Sequence, residues 1–172
     1  MMRRVAVIGC GGSGKTTFAA KLGRGTGIPT IHLDELFWNP GWVPTPKAEF
    51  VARQAEEAAR ETWIIEGDYA GSLEIRAAAA DTVIFLDLPR LTCLRRVILR
   101  TIRRRGGDGP APGCPEKADL EFLRWIWRWR RDRRPIALAK LQQHASGARQ
   151  VVLTTPRQVE AFLREQNGHA GR

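Results

Sequence analysis

Gly9-Cys10-Gly11-Gly12-Ser13-Gly14-Lys15-Thr16 is the stretch whose reading decides the fold of this chain. It fits G-x-x-x-x-G-K-[ST], a loop built to wrap phosphate. Upstream, Val5-Ala6-Val7-Ile8 is a short apolar run that reads as a buried strand, and downstream Phe18 and Leu22 share one helical face. Strand, loop and helix therefore follow in the order that aims backbone N–H groups at an anion on the positive end of a helix. In such a loop Gly9, Gly11, Gly12, Ser13 and Gly14 form the cradle, and Lys15 adds charge for the β- and γ-phosphates. Thr16 offers a hydroxyl to Mg²⁺, and Thr17 steadies the first helical turn near the α-phosphate. The competing interpretation is a glycine-rich turn that binds nothing, against which both flanks speak.

The chain has 172 residues, enough for one domain with its own core, and 43% of them are hydrophobic. No stretch approaches the roughly 18 to 20 apolar residues of a membrane span. Arg3-Arg4 before Val5 to Ile8 resembles a signal peptide only superficially, since the apolar run stops at Gly9, so a cytoplasmic protein is expected. Cys10, Cys93 and Cys114 are widely spaced and form no zinc pattern, so reduced thiols are expected. Cys10 falls inside the phosphate loop, where a small filler is the simplest role. The net charge of +10 is concentrated: Arg90 to Arg134 holds 14 basic residues, 13 of them Arg, against five acids. Such a block suits nucleic acid or the clustered phosphates of a bound nucleotide.

Along the chain, Ile28 to Asp34 reads as a second strand ending in a carboxylate, followed by a turn-rich loop carrying Phe37, Trp38 and Trp42. Thr45-Pro46 looks like an N-cap with proline at the first helical position. The helix it opens runs to about Glu61 with Phe50, Val51, Ala55, Ala58 and Ala59 inward. Trp63 to Glu66 and Thr82 to Asp87 read as strands, and Leu91 to Arg105 as a helix with Leu91, Leu94, Ile98 and Ile102 on one side. Gly106 to Pro115 is so rich in Gly and Pro that it reads as an irregular excursion. Helical patterns follow at about Glu116 to Arg131 and Pro135 to His144, then a strand at Gln150 to Thr154 and a helix from Pro156 to Glu165. Alternating strands and helices predict a parallel sheet covered on both faces, with ligands at the carboxyl ends of its strands.

These motifs resemble the adenylate kinase and nucleoside monophosphate kinase-like group of P-loop proteins, and more closely the bacterial DNA topology modulation proteins. The resemblance runs over nearly the whole chain: GCGGSGKTT, IHLDELFWNPGW, TWIIEGDY, VIFLDLPRLTCLRRVILR and GCPEKADLEFLRWIW. It implies a three-layer α/β P-loop NTPase fold over residues 1–172, with a five-stranded parallel sheet, helices on both faces and a short helical lid at about 100–120. It further implies ATP and Mg²⁺, with Glu66 holding a Mg²⁺-bound water. Where that group carries a clamp arginine after its third strand, this chain has Ala70. By similarity Arg96 stacks on adenine and Arg100 reaches the ATP phosphates, with Arg104 one turn beyond; a solvated basic helix face is the alternative.

Asp34 is placed to act as a base for a hydroxyl acceptor, or to cap the following turn. Phe37, Trp38 and Trp42 form an acceptor wall or simple packing. Arg53 and Arg76 are candidate acceptor clamps, Asp87 a Mg²⁺ ligand or a turn cap, and His32 has no evident partner. Phe122 to Arg131 interleaves aromatics with arginines, which suits nucleic acid, yet Phe122, Ile126 and Trp129 recur at the spacing of a packed helix. No N-K-x-D segment follows a strand, which argues against a GTPase switch. The sequence-based expectation is an ATP- and Mg²⁺-dependent phosphotransferase acting on a nucleoside, nucleotide or other hydroxyl-bearing small molecule. Lys15, Asp34, Arg100 and Arg104 are its expected catalytic residues. The alternative is a P-loop ATPase that binds nucleic acid and alters DNA topology.

Overall fold

The computed structural model describes residues 2–103, 107–116 and 119–169. β1 (Arg4–Gly9) enters the glycine loop and leaves it as α1 (Lys15–Thr26). β2 (Thr30–His32) passes directly into the short α2 (Leu33–Phe37), then into a hairpin of β3 (Trp38–Asn39) and β4 (Val43–Pro44), then into α3 (Lys47–Ala58). β5 (Trp63–Glu66) is followed by α4 (Leu73–Ala79), and β6 (Thr82–Leu86) by α5 (Arg90–Arg103). A second hairpin, β7 (Asp108–Ala111) and β8 (Cys114–Pro115), precedes α6 (Leu120–Asp132). The described chain closes with α7 (Arg134–His144), β9 (Arg149–Leu153) and α8 (Pro156–His169).

Five parallel strands lie in the order β2-β5-β1-β6-β9. Because successive side chains on a strand point to opposite faces, the apolar runs feed two cores. Val5, Val7, Ile64, Ile84 and Leu86 pack against Phe18 and Leu22 of α1 and Phe162 of α8. Ala6, Ile8, Ile65, Val83 and Phe85 pack on the other face against α3, α4, α5, α6 and α7. Continuous hydrophobic strands with both faces covered thus give the three-layer α/β architecture expected from the sequence. The glycine loop and Glu66 stand together at the carboxyl ends of the neighbouring strands β1 and β5, with Asp87 just beyond β6.

Several local expectations need correction. Asp34 does not end a strand: β2 stops at His32 and Asp34 lies in the first turn of α2. Thr45 does not cap α3, whose cap position is Pro46; the Thr45 hydroxyl donates instead to Leu36 O at 3.0 Å. On α3 the buried stripe is Phe50, Gln54 and Ala58, while Ala55 and Ala59 are exposed. Gln54 is drawn inside because its Oε1 accepts from Arg76 Nη1 at 2.7 Å. On α5 the buried residues are Cys93 and Val97, whereas Leu91 (66%) and Ile102 (58%) are exposed. The glycine loop presses on that side of α5 and admits only slim side chains there.

The connection between α5 and α6 is also more regular than its composition suggested. In place of a short helical lid or an irregular excursion, its described residues form the β7–β8 hairpin. Pro112-Gly113 makes the turn, with Gly113 at φ 71, a left-handed position that a Pro-Gly turn requires. This hairpin docks on the β3–β4 hairpin: Gly41 N donates to Gly113 O at 2.9 Å, and Cys114 Sγ lies 3.3 Å from Asn39 O.

Candidate functional site

The phosphate loop is held from below and from one side. Ser13 N donates to Cys10 O at 3.1 Å, and Phe18 N to Gly14 O at 2.9 Å, starting α1 with no acidic residue in its first turn. That leaves the positive end of α1 free to meet an anion. Gly12 sits at φ 79 directly against α5, where a Cβ would come within 2.4 Å of Cys93 O. Gly11 faces Phe122 and Trp125 of α6. Ser13 Oγ is buried and has no hydrogen-bond partner among the described residues. Lys15 Nζ donates to Cys10 O at 3.1 Å, so its ammonium lies over its own loop.

Thr16 and Glu66 meet beside the loop: Thr16 Oγ1 donates to Glu66 Oε1 at 3.1 Å. The same oxygen takes Nδ1 of His32 at 2.9 Å, because His32 and Glu66 are register partners on the adjacent parallel strands β2 and β5. Burial pushes the Glu66 carboxyl up, yet the hydrogen bond from His32, the charge of Lys15 and the Thr16 hydroxyl together hold it below its ordinary value. His32 is raised in turn, chiefly by its hydrogen bond to Glu66 against an opposing burial effect. Glu66 is therefore a buried, ionised carboxylate beside the loop.

Asp34 lies in the same electrostatic field. Its Oδ1 accepts from the Tyr69 hydroxyl at 2.7 Å. Burial raises its pKa; the Tyr69 hydrogen bond, Lys15 and His32 pull it down, and Glu66 pushes it up. Behind it Phe37, Phe50 and Tyr69 form a ring cluster with centroids 5.0 Å apart, and Trp38 adds an edge contact to Phe37 at 4.7 Å. Asp68 follows at the end of β5, accepting from Trp129 Nε1 at 2.9 Å; burial raises its pKa, with Lys15 the leading opposing influence.

The arginines divide into several settings. Arg96 Nη1 donates to Ser13 O at 3.0 Å and lies along the phosphate loop. Arg100 reaches Glu116 Oε1 with Nε at 3.0 Å and Nη2 at 2.8 Å, tying α5 to the base of the β7–β8 hairpin. Arg96 and Arg100 also line a cavity of about 290 Å³ with Leu99 and Arg103. Arg104 lies outside the described residues. Arg76 is no acceptor clamp: its side chain is fully buried, bonded to Gln54, to Gly67 O and to Asp68 O, the latter two at 3.0 Å. Arg53 pairs with Glu49 one turn away on the surface of α3. Asp87 is no lone cap; it is buried and grips Arg134 at 2.8 Å and Arg130 at 3.4 Å, fastening α6 and α7 to the sheet.

His32, Asp68 and Tyr69 are the site residues that the sequence did not reveal. Each acquires its role from a partner on another element, and only the β2–β5 register could have signalled one of them. Cys10 and Cys93 face each other across the loop and α5; their mutual hydrogen bond and burial push the Cys10 thiol far up, so it stays protonated.

No protein-family model matches this chain, and no curated protein matches it. Solved structures do. Shikimate kinase from Acinetobacter baumannii, in complex with shikimate, superposes with a TM-score of 0.61 at 17% identity, covering 96% of this chain and 90% of its own. Shikimate kinase from Bacteroides thetaiotaomicron gives 0.57 at 20% identity, covering all of both chains. A gluconokinase from Sinorhizobium meliloti 1021 gives 0.53 at 18% identity, covering 99% of this chain and 92% of its own. At such identities the likeness establishes the fold, and it is the P-loop kinase fold.

Proposed function

We propose that this chain transfers the γ-phosphoryl group of ATP to a hydroxyl of a small molecule, with Mg²⁺ as its metal. The observation that carries this is the gathering of a Lys15 ammonium, a Thr16–Glu66 pair and a half-buried Asp34 around one phosphate loop, close enough that Lys15 acts on both carboxylates. The fold shared with shikimate kinases and a gluconokinase supports the phosphotransferase class. The adenylate kinase-like motifs on α5 support ATP as donor.

The donor set suits Mg²⁺. This ion takes one or two protein oxygens and completes its shell from phosphates and water, and here a hydroxyl and an ionised carboxylate stand 3.1 Å apart. Bound there, it would neutralise charge on the β- and γ-phosphates. The chain's own residues do the rest. Loop amides and Lys15 bind the phosphates and stabilise charge on the transferring group; Arg96 and Arg100 of α5, the first beside the loop and the second tied to Glu116 at the base of the β7–β8 hairpin, add positive charge as that side closes. Asp34 accepts the proton of the acceptor hydroxyl as its oxygen bonds to the γ-phosphorus and the bond to the β-phosphate oxygen breaks, releasing ADP.

An Asp34→Asn protein tests this assignment. Transfer should fall by about 10² to 10⁴, the usual contribution of a positioned base, while ATP affinity stays at the parent value. Undiminished transfer would leave Asp34 a structural residue of α2. One observation favours a second reading, nucleic-acid binding: Trp127 is half exposed with the Arg90 guanidinium 3.9 Å above its ring, both within the Arg90–Arg134 segment where the chain's basic residues concentrate. Stimulation of ATP hydrolysis by DNA alone would favour that reading over small-molecule transfer. The free thiols Cys10, Cys93 and Cys114 support a reducing, cytoplasmic setting.

A further inference from the structure

We infer that Tyr69 is the positioning residue for Asp34: its hydroxyl occupies Oδ1 and thereby presents Oδ2 to the acceptor. This inference rests on the phosphotransferase reading above and deepens it by naming the group that aims the base.

The geometry has three parts. First, the Tyr69 hydroxyl donates to Asp34 Oδ1 at 2.7 Å, across 35 residues of sequence, so the bond is made by the fold and not by a local turn. Oδ2 takes no bond from any described residue, so it is the oxygen left for a proton. Second, the Tyr69 ring cannot drift. Phe37 and Phe50 hold it at 5.0 Å centroid separations, and Trp38 backs Phe37 edge-on at 4.7 Å. A phenol has one O–H to give and here gives it to Asp34. Third, the support is continuous with the hairpins. Trp38 begins β3, and β3–β4 is clasped by β7–β8 through Gly41 to Gly113 and Cys114 to Asn39. Whatever moves the β7–β8 hairpin therefore moves a wall of the Tyr69 cage.

Asp34 needs such a device because its setting is otherwise unfavourable to a base. It is half-buried on a five-residue helix, and Glu66 repels its charge, with Lys15 and His32 attracting it and Glu35 next to it on the surface of α2. Without a donor on Oδ1 the carboxyl would titrate higher and be free to turn about its Cβ–Cγ bond. The Tyr69 proton favours the ionised form and fixes which oxygen faces outward.

Tyr69→Phe tests this, since it removes one oxygen and keeps the ring in its cage. Two readouts on the full chain are independent of the physiological acceptor. In carboxyl-¹³C NMR the Asp34 resonance should titrate at higher pH in Tyr69→Phe than in the parent; an unchanged titration would overturn the inference. In MgATP hydrolysis, with water as the hydroxyl acceptor, Tyr69→Phe should lower kcat about ten- to a hundredfold, leave the ATP KM within about twofold, and move the acidic limb of the rate profile upward. In an Asp34→Asn background the same change should cost nothing more, because a positioning residue has nothing left to position. An equal additional loss in that background would make Tyr69 a structural residue only. If Asp34→Asn itself hydrolyses MgATP at the parent rate, the base assignment falls and the inference falls with it; a crippled Asp34→Asn beside a fully active Tyr69→Phe would remove the inference and leave the base standing.

Discussion

Gly12→Ala should loosen the phosphate loop from its seat on α5, and the size of the effect follows from two distances and an angle. At φ 79 an L-residue carries a left-handed backbone penalty of about 1–2 kcal/mol. The new methyl would also lie 2.4 Å from Cys93 O and 2.8 Å from Val97 Cγ2. The first is a backbone atom inside a helix, so no rotamer change relieves the overlap and the loop itself must move, at a typical overpacking cost of about 1–3 kcal/mol. Together these give about 2–5 kcal/mol. For a chain of this length each kcal/mol shifts the melting temperature by about 2–4 °C, so a fall of about 4–20 °C is expected in calorimetry. Titration calorimetry with ATP should show at least about tenfold weaker binding, because the displaced loop no longer aims its amides together. Gly14→Ala is the control. Its φ is 95, but its methyl would meet only the movable tip of Arg96 at 3.4 Å, so only the backbone penalty applies and the melting shift should stay under about 8 °C. A Gly12→Ala protein that melts within about 2 °C of the parent and binds ATP normally would refute the reasoning.

Two further outcomes follow from buried pairs. Asp87→Asn leaves Arg130 and Arg134 without their anchoring charge; because both arginines are partly solvated, a loss of about 1–3 kcal/mol in the urea unfolding free energy is expected, and parent stability would show that α6 and α7 need no such anchor. His32 has a folded pKa above its ordinary 6.5, so its bond to Glu66 contributes fully below pH 6.5 and is lost as pH rises through the folded value. Measured in EDTA, the stability gap between the parent and His32→Gln should therefore narrow from pH 6 to pH 9; a gap independent of pH would mean that the two groups do not pair.

What could be read beforehand was what lies close together in sequence. Val5 to Leu22 declares strand, loop and helix in one continuous piece, and Glu66 is announced by the apolar run before it. What could not be read was set by contacts between distant segments. The period of α5 is compatible with burial on either side, and bulk favours the Leu91–Ile98–Ile102 stripe; the structure instead buries Cys93 and Val97 because Gly12 must fit against them. Gln54 looks like a surface residue until Arg76 claims it from α4. The Gly/Pro density of 106–115 hid a hairpin, since the residues that break helices also make tight turns. In the site, Lys15, Thr16 and Glu66 carry their chemistry in a motif, whereas His32, Asp68 and Tyr69 have no meaning before the sheet pairs β2 with β5 and folds the loop after Glu66 onto α2 and α6.

The most direct test of the phosphotransferase account is MgATP consumption by the purified chain, measured across nucleosides, nucleoside monophosphates, sugars, amino alcohols and duplex DNA, with Lys15→Ala beside the parent. The account predicts that one hydroxyl-bearing small molecule raises turnover by orders of magnitude and that Lys15→Ala abolishes it with the fold intact. Turnover raised by DNA and by no small molecule, or a Lys15→Ala protein working at the parent rate, would contradict it.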